Sequence, residues 1–211
     1  MLLVLDMGNT NITIGVYEGK RLLLQSRIAT DRTKMEDQYA VELMDLLRLY
    51  KLESTDFSGA ILASVVPPLN HAICGAVKKA VGVTPLLVGP GTKTGLNIRI
   101  DNPSQLGADL LVGAVAAVEA VGYPCIVWDL GTATTVSVVD DKGAFRGGAI
   151  MPGIRTALSA LAAGTSLLPQ ISVDAPDKVI GTNTNACLQS GAVYGNAALI
   201  DGMNARIFEE L

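Results

Sequence analysis

Few of the features that would place this chain in a membrane or on nucleic acid are present in its sequence. The longest apolar stretch, residues 110–118, ends at Glu119 and falls well short of the roughly 20 residues that a membrane-spanning helix needs. The formal net charge is −4, whereas a nucleic-acid-binding protein normally carries a basic face. We therefore expect neither a membrane nor a nucleic acid among its partners.

Cysteines and basic leader residues are also scarce. The three cysteines, Cys74, Cys125 and Cys187, are widely spaced and include no Cys-x-x-Cys pair. We therefore expect reduced thiols in the core of a cytoplasmic protein rather than metal ligands. The apolar N-terminus has no basic flank and meets Asp6 at once, which is not the pattern of a secretory signal peptide.

The composition is that of a globular protein with an aliphatic core. Aromatic residues make up 4% of the chain and charged residues 17%, while hydrophobic residues make up 49%. The core must therefore be built mainly from Val, Leu, Ile and Ala, and no segment has the composition of a disordered chain. A length of 211 residues fits one large domain or two small ones.

One pattern occurs twice. Residues 3–10 read Leu-Val-Leu-Asp-Met-Gly-Asn-Thr, and residues 126–133 read Ile-Val-Trp-Asp-Leu-Gly-Thr-Ala. Each copy is an apolar run that ends in Asp-x-Gly-polar and continues as a second β-rich run, residues 11–17 and 134–139, before a Gly-containing turn. Each copy therefore predicts a β-hairpin, with one carboxylate and several backbone N–H groups held together in its loop.

Such a loop has the chemistry to bind a phosphate tail with its cation. Backbone amides bind phosphate oxygens, and the carboxylate of Asp6 or Asp129 can hold a metal ion. An ordinary turn is the alternative, because Asp, Asn and Gly are common turn residues. The recurrence favours phosphate binding, and two such loops facing each other would grip a nucleoside triphosphate from both sides.

The remaining pattern predicts an α/β protein in which each half adds a third strand, further helices and, in the first half, further strands. We place an N-terminal half at residues 1–103 and a C-terminal half, shortened at its end, at residues 104–211. The predicted segments after the hairpins are strands 21–28, 60–66, 85–88 and 144–150, and helices 35–52, 70–81, 104–121, 152–162 and 183 to the C-terminus with a bend at Gly191 or Gly195. Duplicated halves with mixed sheets and a nucleotide cleft resemble the actin, Hsp70 and sugar-kinase superfamily, with its ribonuclease H-like domains.

A third candidate element is an acid in an apolar context. Asp109 lies within the apolar residues 106–118, near the start of a predicted helix. It could complement the helix dipole, or it could be a general base aimed into the cleft. The same helix is apolar on more than one face, which predicts burial against a second subunit.

The ordered motifs resemble those of type III pantothenate kinase over essentially the whole chain. The matching residues are Asp6-x-Gly8-Asn9-Thr10, Ser64-Val65-Val66-Pro67, Asp101-Asn102-Pro103, Gly107-Ala108-Asp109, Asp129-x-Gly131-Thr132-Ala133-Thr134, Gly147-Gly148-Ala149-Ile150-x-Pro152-Gly153, Gly181-x-Asn183-Thr184 and Gln189-Ser190-Gly191. The resemblance implies ATP-dependent phosphorylation of pantothenate to 4'-phosphopantothenate, the first step of coenzyme A biosynthesis. It also implies Mg²⁺, a monovalent cation (K⁺ or NH₄⁺) and a homodimer.

The resemblance also implies a role for each site residue. Asp109 matches the proton acceptor for the pantothenate hydroxyl, Asp129 the monovalent-cation ligand, and Thr132 an ATP contact. The residues matched to the ATP phosphates are Asp6, also a candidate Mg²⁺ ligand, Met7, Gly8, Asn9, Thr10, Asn11, Ile12 and Thr13. The residues matched to pantothenate are Ile100, Gly107, Ala108, Asp109, Leu110 and Thr184.

Two positions depart from the family pattern. Leu110 stands where the family has Arg, and Ile100 stands where it has Tyr; Arg99 or Arg155 could replace the missing cation. Relatives also continue beyond this C-terminus with a strand, a Gly-rich loop and a helix. These departures leave open a family member that binds ATP but acts on another small alcohol, or one that is regulatory and non-catalytic. A more distant small-molecule kinase or ATPase of the superfamily is a third interpretation.

Overall fold

The computed structural model describes all residues from 1 to 211 and divides into two compact units. The first comprises Met1–Gly95 with Asp101–Val115, and the second comprises Leu96–Ile100 with Ala116–Leu211. The sequence predicts two halves that meet at residues 103/104, and that these halves are the domains of the protein stays a prediction. None of the helices combines the length and the apolar character that crossing a membrane would require.

The first unit is built on a five-stranded mixed sheet. Its elements are β1 (Leu2–Met7), β2 (Asn11–Glu18), β3 (Arg21–Ala29), α1 (Glu36–Leu49), β4 (Gly59–Ser64), α2 (Asn70–Val81) and β5 (Leu86–Leu87). The strand order is β3-β2-β1-β4-β5, with β1, β2 and β3 antiparallel and β4 parallel to β1. The central strand β1 is therefore paired on both sides.

The core of this unit follows from the alternation of side chains along its strands. Leu3, Leu5 and Met7 of β1 are buried together with Ile12, Ile14 and Val16 of β2, and α1 and α2 contribute to the same cluster. The buried residues of the two helices are Tyr39, Ala40, Leu43, Leu47, Ile73, Ala76, Val77, Ala80 and Val81. This aliphatic core agrees with the composition.

The second unit carries a four-stranded sheet of order β6-β9-β8-β7. Its strands are β6 (Asn97–Ile98), β7 (Cys125–Leu130), β8 (Ala133–Val139) and β9 (Ala144–Pro152). Its helices are α3 (Ala108–Val121), whose first half belongs to the first unit, α4 (Ile154–Gly164), α5 (Thr184–Ser190) and α6 (Asn196–Glu210). Strands β7, β8 and β9 are antiparallel, and β7 has no pairing strand on its other edge.

The duplicated hairpin predicted from the sequence is confirmed. Asp6 of β1 lies opposite Thr13 of β2, and Asp129 of β7 lies opposite Thr135 of β8. Each copy continues into a third antiparallel strand, and the register shifts near the far end of the middle strand in both. The two copies therefore share the register shift as well as the order of their strands.

Several predicted boundaries are wrong. The helix expected from Ser104 is interrupted: residues Pro103–Gln105 form a short 3₁₀ turn, Leu106 is extended, and α3 begins at Ala108. Pro152 ends β9 instead of beginning a helix, and α4 starts at Ile154. The strand at 85–88 shrinks to two residues, β5, and β6 was not predicted.

Two further expectations concern the last helical region and the cysteines. The last helical region begins beside Asn183, as predicted, and is interrupted by a π-helical turn over Gly191–Gly195 before α6. The cysteines carry free thiols: Cys74 is half-buried and packs against the core of the first unit, Cys125 is half-buried, and Cys187 is exposed, so the expectation of a core position is wrong for Cys187. Burial still raises the pKa of the Cys74 and Cys125 thiols above the ordinary value.

Candidate active site

The first loop joins β1 to β2 and is closed by its own backbone. The Gly8 N–H donates to the Asn11 carbonyl over 3.0 Å, which turns the chain tightly after Met7. Asp6, Asn9, Thr10 and Asn11 are exposed, so polar groups surround the turn.

Two residues matched to ATP phosphates in this loop cannot offer their side chains to a ligand. Met7 and Ile12 are both 0% exposed and belong to the core, because they lie opposite each other in the hairpin register. Thr13 is half-buried opposite Asp6. Any contact from Met7 or Ile12 to a phosphate must therefore come from the backbone.

A residue outside the predicted site holds the first loop in place. The Thr30 hydroxyl donates to the Gly8 carbonyl over 2.7 Å, and the Thr30 N–H donates to the Thr10 carbonyl over 2.9 Å. Both acceptors would otherwise be free to turn away from the strand end. Thr30 thus fixes two consecutive bends of the loop from the residue that follows β3.

The second loop is held in a similar way from behind. The Gly131 N–H donates to the Ala133 carbonyl over 3.0 Å, and the Thr132 carbonyl accepts the Gly153 N–H over 3.1 Å. The Thr156 hydroxyl donates to the same Thr132 carbonyl over 2.7 Å. The braces again come from the residues that follow the third strand of the hairpin unit.

The side chains of the second loop are open to solvent. Asp129, Leu130 and Thr132 are exposed, so the carboxylate matched to the monovalent cation is accessible. Just after the loop, the Thr134 hydroxyl oxygen is buried and has no hydrogen-bond partner. An unsatisfied buried oxygen is uncommon in a folded protein. Thr134 pairs with Leu130 in the hairpin, so its side chain lies on the other face of the sheet from Asp129.

Asp109 lies in the first turn of α3 and is half-buried. Its Oδ1 accepts the Leu110 N–H over 2.8 Å, which folds the carboxylate back toward Gly107. A Cβ on Gly107 would lie 2.5 Å from that oxygen, so any larger residue there would make the carboxylate leave this position. Ala108 is buried and Leu110 half-buried.

The other residues matched to pantothenate lie in the second unit. Ile100 is half-buried, and its Cγ2 would be 3.7 Å from a Cβ on Gly147, whose φ is +110°. Thr184 is the exposed first residue of α5, which Asn183 caps by accepting the Ala186 N–H over 2.9 Å. The structure therefore gives the position and exposure of each predicted residue. That these residues converge on one substrate stays a prediction.

Comparison with known proteins decides the family. The family model described as type III pantothenate kinase matches residues 2–206. A type III pantothenate kinase from Halalkalibacterium halodurans is 45% identical over 207 residues, which cover 98% of this chain and 82% of that relative. One from Moorella thermoacetica is 43% identical over 211 residues, covering 100% of this chain and 83% of the relative.

This chain belongs to the type III pantothenate kinase family. The resemblance inferred from the ordered motifs is thus confirmed, and the family is one of kinases. Membership of this kinase family implies the use of ATP. The individual site residues stay proposals.

Solved structures agree on the fold. A conserved Baf family protein from Campylobacter jejuni superposes with a TM-score of 0.57 at 20% identity, covering 95% of this chain and 78% of the other. A Sinorhizobium meliloti protein assigned as 2-dehydro-3-deoxygalactonokinase gives 0.50 at 14% identity, covering 79% and 58%. At these identities the likeness concerns the fold alone, and it agrees with the expected α/β fold with two mixed sheets.

Sequence reasoning predicted no role for the residues that brace the loops, although Gly153 belongs to one of the matched motifs. Thr30, Gly153 and Thr156 touch the loops through backbone carbonyls, a contact with no signature in residue type. One signal could have found them: each follows the third strand of a repeat copy, so the duplication itself predicts a shared position.

Proposed function

We propose that this chain transfers the γ-phosphoryl group of ATP to the primary hydroxyl of pantothenate, giving 4'-phosphopantothenate and ADP in the first step of coenzyme A biosynthesis. The observation that carries the proposal is the match of the family to residues 2–206 with 45% identity to a relative of that name. Phosphoryl transfer needs positioning and charge neutralisation more than covalent chemistry. The braced loops and the acid on α3 are suited to those tasks.

The glycines of the two loops support phosphate binding. Neither Gly8 nor Gly131 has a left-handed φ. A Cβ would meet only Asn11 O at 3.3 Å in the first loop, and nothing closer than Ala133 O at 3.5 Å in the second. The fold itself therefore makes little demand for glycine at Gly131, whereas at Gly8 the Asn11 carbonyl would have to shift by a few tenths of an ångström to admit a Cβ. A ligand that approaches the backbone closely, as a phosphate does, is a reason for glycine in both loops.

We assign the phosphate tail to the backbone of residues 6–13 and to Thr132. Mg²⁺ usually binds through one or two carboxylates together with phosphate oxygens and waters. Asp6 can supply such a carboxylate, and the chain gathers no set of three acidic, His or Cys side chains for a dedicated protein cage. Asp129, whose side chain is exposed, offers carboxylate oxygens for K⁺ or NH₄⁺.

We assign the acceptor chemistry to Asp109. The pantothenate hydroxyl oxygen would attack the γ-phosphorus, the bond to the ADP oxygen would break, and the hydroxyl proton would pass to the Asp109 carboxylate. Ile100, Gly107, Ala108, Leu110 and Thr184 would line the pantothenate. A homodimer and a cytoplasmic location belong to the same proposal, the former supported by the partly exposed apolar residues of α3.

The test replaces Asp109 with Asn and measures pantothenate-dependent ADP release. Asn can still accept the Leu110 N–H, so the fold of the α3 start should hold. We expect kcat to fall by about 10²–10⁴-fold, the usual contribution of a general base, with ATP affinity unchanged within about threefold. Glu119→Gln, an exposed acid on the same helix, is the matched control and should keep full activity.

Two results would contradict the proposal in different ways. Full activity in Asp109→Asn would remove the acceptor role from that residue and leave the reaction standing. Absence of pantothenate-dependent ADP release from the unmodified protein would remove the reaction itself.

A further inference from the structure

Residues 30–34, which we call the strap, connect β3 to the approach of α1 and lie against the first loop. Thr30 holds the Gly8 and Thr10 carbonyls, as described above. The strap is therefore tied by two hydrogen bonds to the loop proposed to bind phosphate.

The strap is itself anchored to the core. The Tyr39 side chain is 0% exposed; its hydroxyl donates to the Asp31 carbonyl over 2.8 Å and accepts the Asp31 N–H over 2.9 Å. The Asp31 carboxylate accepts both the hydroxyl and the N–H of Thr33, at 2.7 and 2.9 Å. These hydrogen bonds, led by the one from the Thr33 hydroxyl, lower the pKa of Asp31. Lys34 ends the strap in an ion pair with Glu42.

One cation on the strap, Arg32, is held by an amide and not by a carboxylate. The Arg32 Nη2 donates to Asn9 Oδ1 over 2.9 Å, and the residue is exposed. No carboxylate lies within ion-pair distance of it, whereas Arg21, Arg48 and Arg146 each pair with one. A neutral amide thus fixes the guanidinium beside the loop without neutralising its charge.

We propose that Arg32 binds the phosphate tail of ATP, with Asn9 fixing the guanidinium for it. The proposal rests on the assignment of the first loop to ATP phosphates. A guanidinium has five N–H donors in a fixed fork, and Asn9 occupies only one side of it. The remaining donors suit phosphate oxygens, to which Arg forms charge-assisted and often bidentate hydrogen bonds.

The second copy of the repeat has a similar arrangement. Arg32 follows by two residues the Thr30 N–H that holds the first loop, and Arg155 follows by two residues the Gly153 N–H that holds the second. Arg155 is also exposed and has no ion pair with a carboxylate. An arginine at this spacing is therefore a shared feature of both copies, although the proposal concerns Arg32 alone.

The test compares Arg32→Gln with Arg48→Gln by calorimetric titration with ATP, ADP and AMP on the full chain. Arg48 is exposed near the end of α1, so its substitution makes the same charge change away from the loop. For Arg32→Gln we expect a loss of ATP affinity of about 10- to 100-fold, the range for a lost hydrogen bond to a charged group. AMP affinity should stay within about threefold, and Arg32→Lys should recover part of the ATP affinity because it keeps the charge.

Three results would overturn the proposal. ATP affinity could fall no further in Arg32→Gln than in Arg48→Gln. ATP and AMP affinities could fall equally, which would indicate a structural role away from the phosphates. The unmodified chain could fail to bind ATP, which would remove the nucleotide site altogether. If the unmodified chain binds ATP in an Arg32-dependent manner but never phosphorylates pantothenate, the proposed function fails and the Arg32 contact stands.

Discussion

Replacing Gly153 with alanine should damage the second loop from behind. A Cβ at this residue would lie 2.1 Å from the Gly131 carbonyl oxygen and 2.6 Å from the Thr132 carbonyl oxygen. The backbone angles of Gly153, φ −64° and ψ 155°, suit any residue, so the cost is steric alone. Both obstructing atoms belong to the backbone, and no side-chain rotation can relieve the overlap.

The magnitude follows from the distance that must be opened. Restoring a tolerable separation requires the loop and the start of α4 to part by about 1 Å. Insertion of a methyl group into a filled space of this kind costs about 1–3 kcal/mol, which for a chain of this length lowers the melting temperature by about 2–12 °C. A shift of about 1 Å in a group that positions substrate can cost about 10²-fold in rate.

Differential scanning fluorimetry and the ADP-release assay measure the two effects separately. Gly164→Ala is the control, because Gly164 is the last residue of α4 and a Cβ there meets nothing within 4 Å. That substitution should leave activity unchanged and raise stability slightly, by up to about 1 kcal/mol. If Gly153→Ala behaves like Gly164→Ala in both assays, the close approach of α4 to the second loop is refuted.

Two other predictions concern the acceptor pocket and acid stability. Because Leu110 stands where the motif resemblance leads us to expect Arg, we expect a raised KM for pantothenate with ATP binding retained. Leu110→Arg with Ile100→Tyr should lower that KM by about 10- to 100-fold. A low KM in the unmodified protein would disprove the altered-acceptor interpretation. The pKa of Asp140 is lowered, first by the Ala144 N–H and then by the Lys142 N–H and Arg146. Its stabilisation is therefore complete above its ordinary pKa of 3.8 and is lost as the pH falls through the lower folded value. Asp140→Asn should lower the melting temperature at pH 7. Between pH 5 and pH 3 the melting temperature of the variant should fall by less than that of the unmodified protein. Parallel curves of melting temperature against pH for the two proteins would contradict this reasoning.

The strands that carry the repeat could be predicted because their signal is local. Leu3, Leu5 and Met7 alternate with less buried neighbours, and the Asp-x-Gly tip marks where β1 turns into β2. The same reading places β7 and β8 within one residue of their observed bounds. Alternation and turn chemistry act over a few residues, so they need no knowledge of the rest of the fold.

The boundaries that sequence reasoning missed depend on distant partners. Pro152 suits a first helical position, yet β9 extends through it because Ala133 pairs with it in the sheet. Asn102-Pro103-Ser104 carries a capping pattern that does begin a helix, but one of only three residues. The two-residue strand β6 exists only because β9 lies beside it, and no pattern within residues 97–98 could reveal that.

The two loops show which features of a candidate site can be recognised from the sequence. They share Asp and Gly but differ elsewhere, since Met7 is fully buried whereas its counterpart Leu130 is 56% exposed. Strand β1 is paired on both sides, whereas β7 lies at an edge of its sheet. The residue after each Asp is therefore in a different environment. A site made of backbone amides tolerates that divergence, because the donors do not depend on the side chain. Both loops retain the Asp carboxylate, which a cation would bind. Both also retain the Gly, whose missing side chain would let a phosphate come close to the backbone.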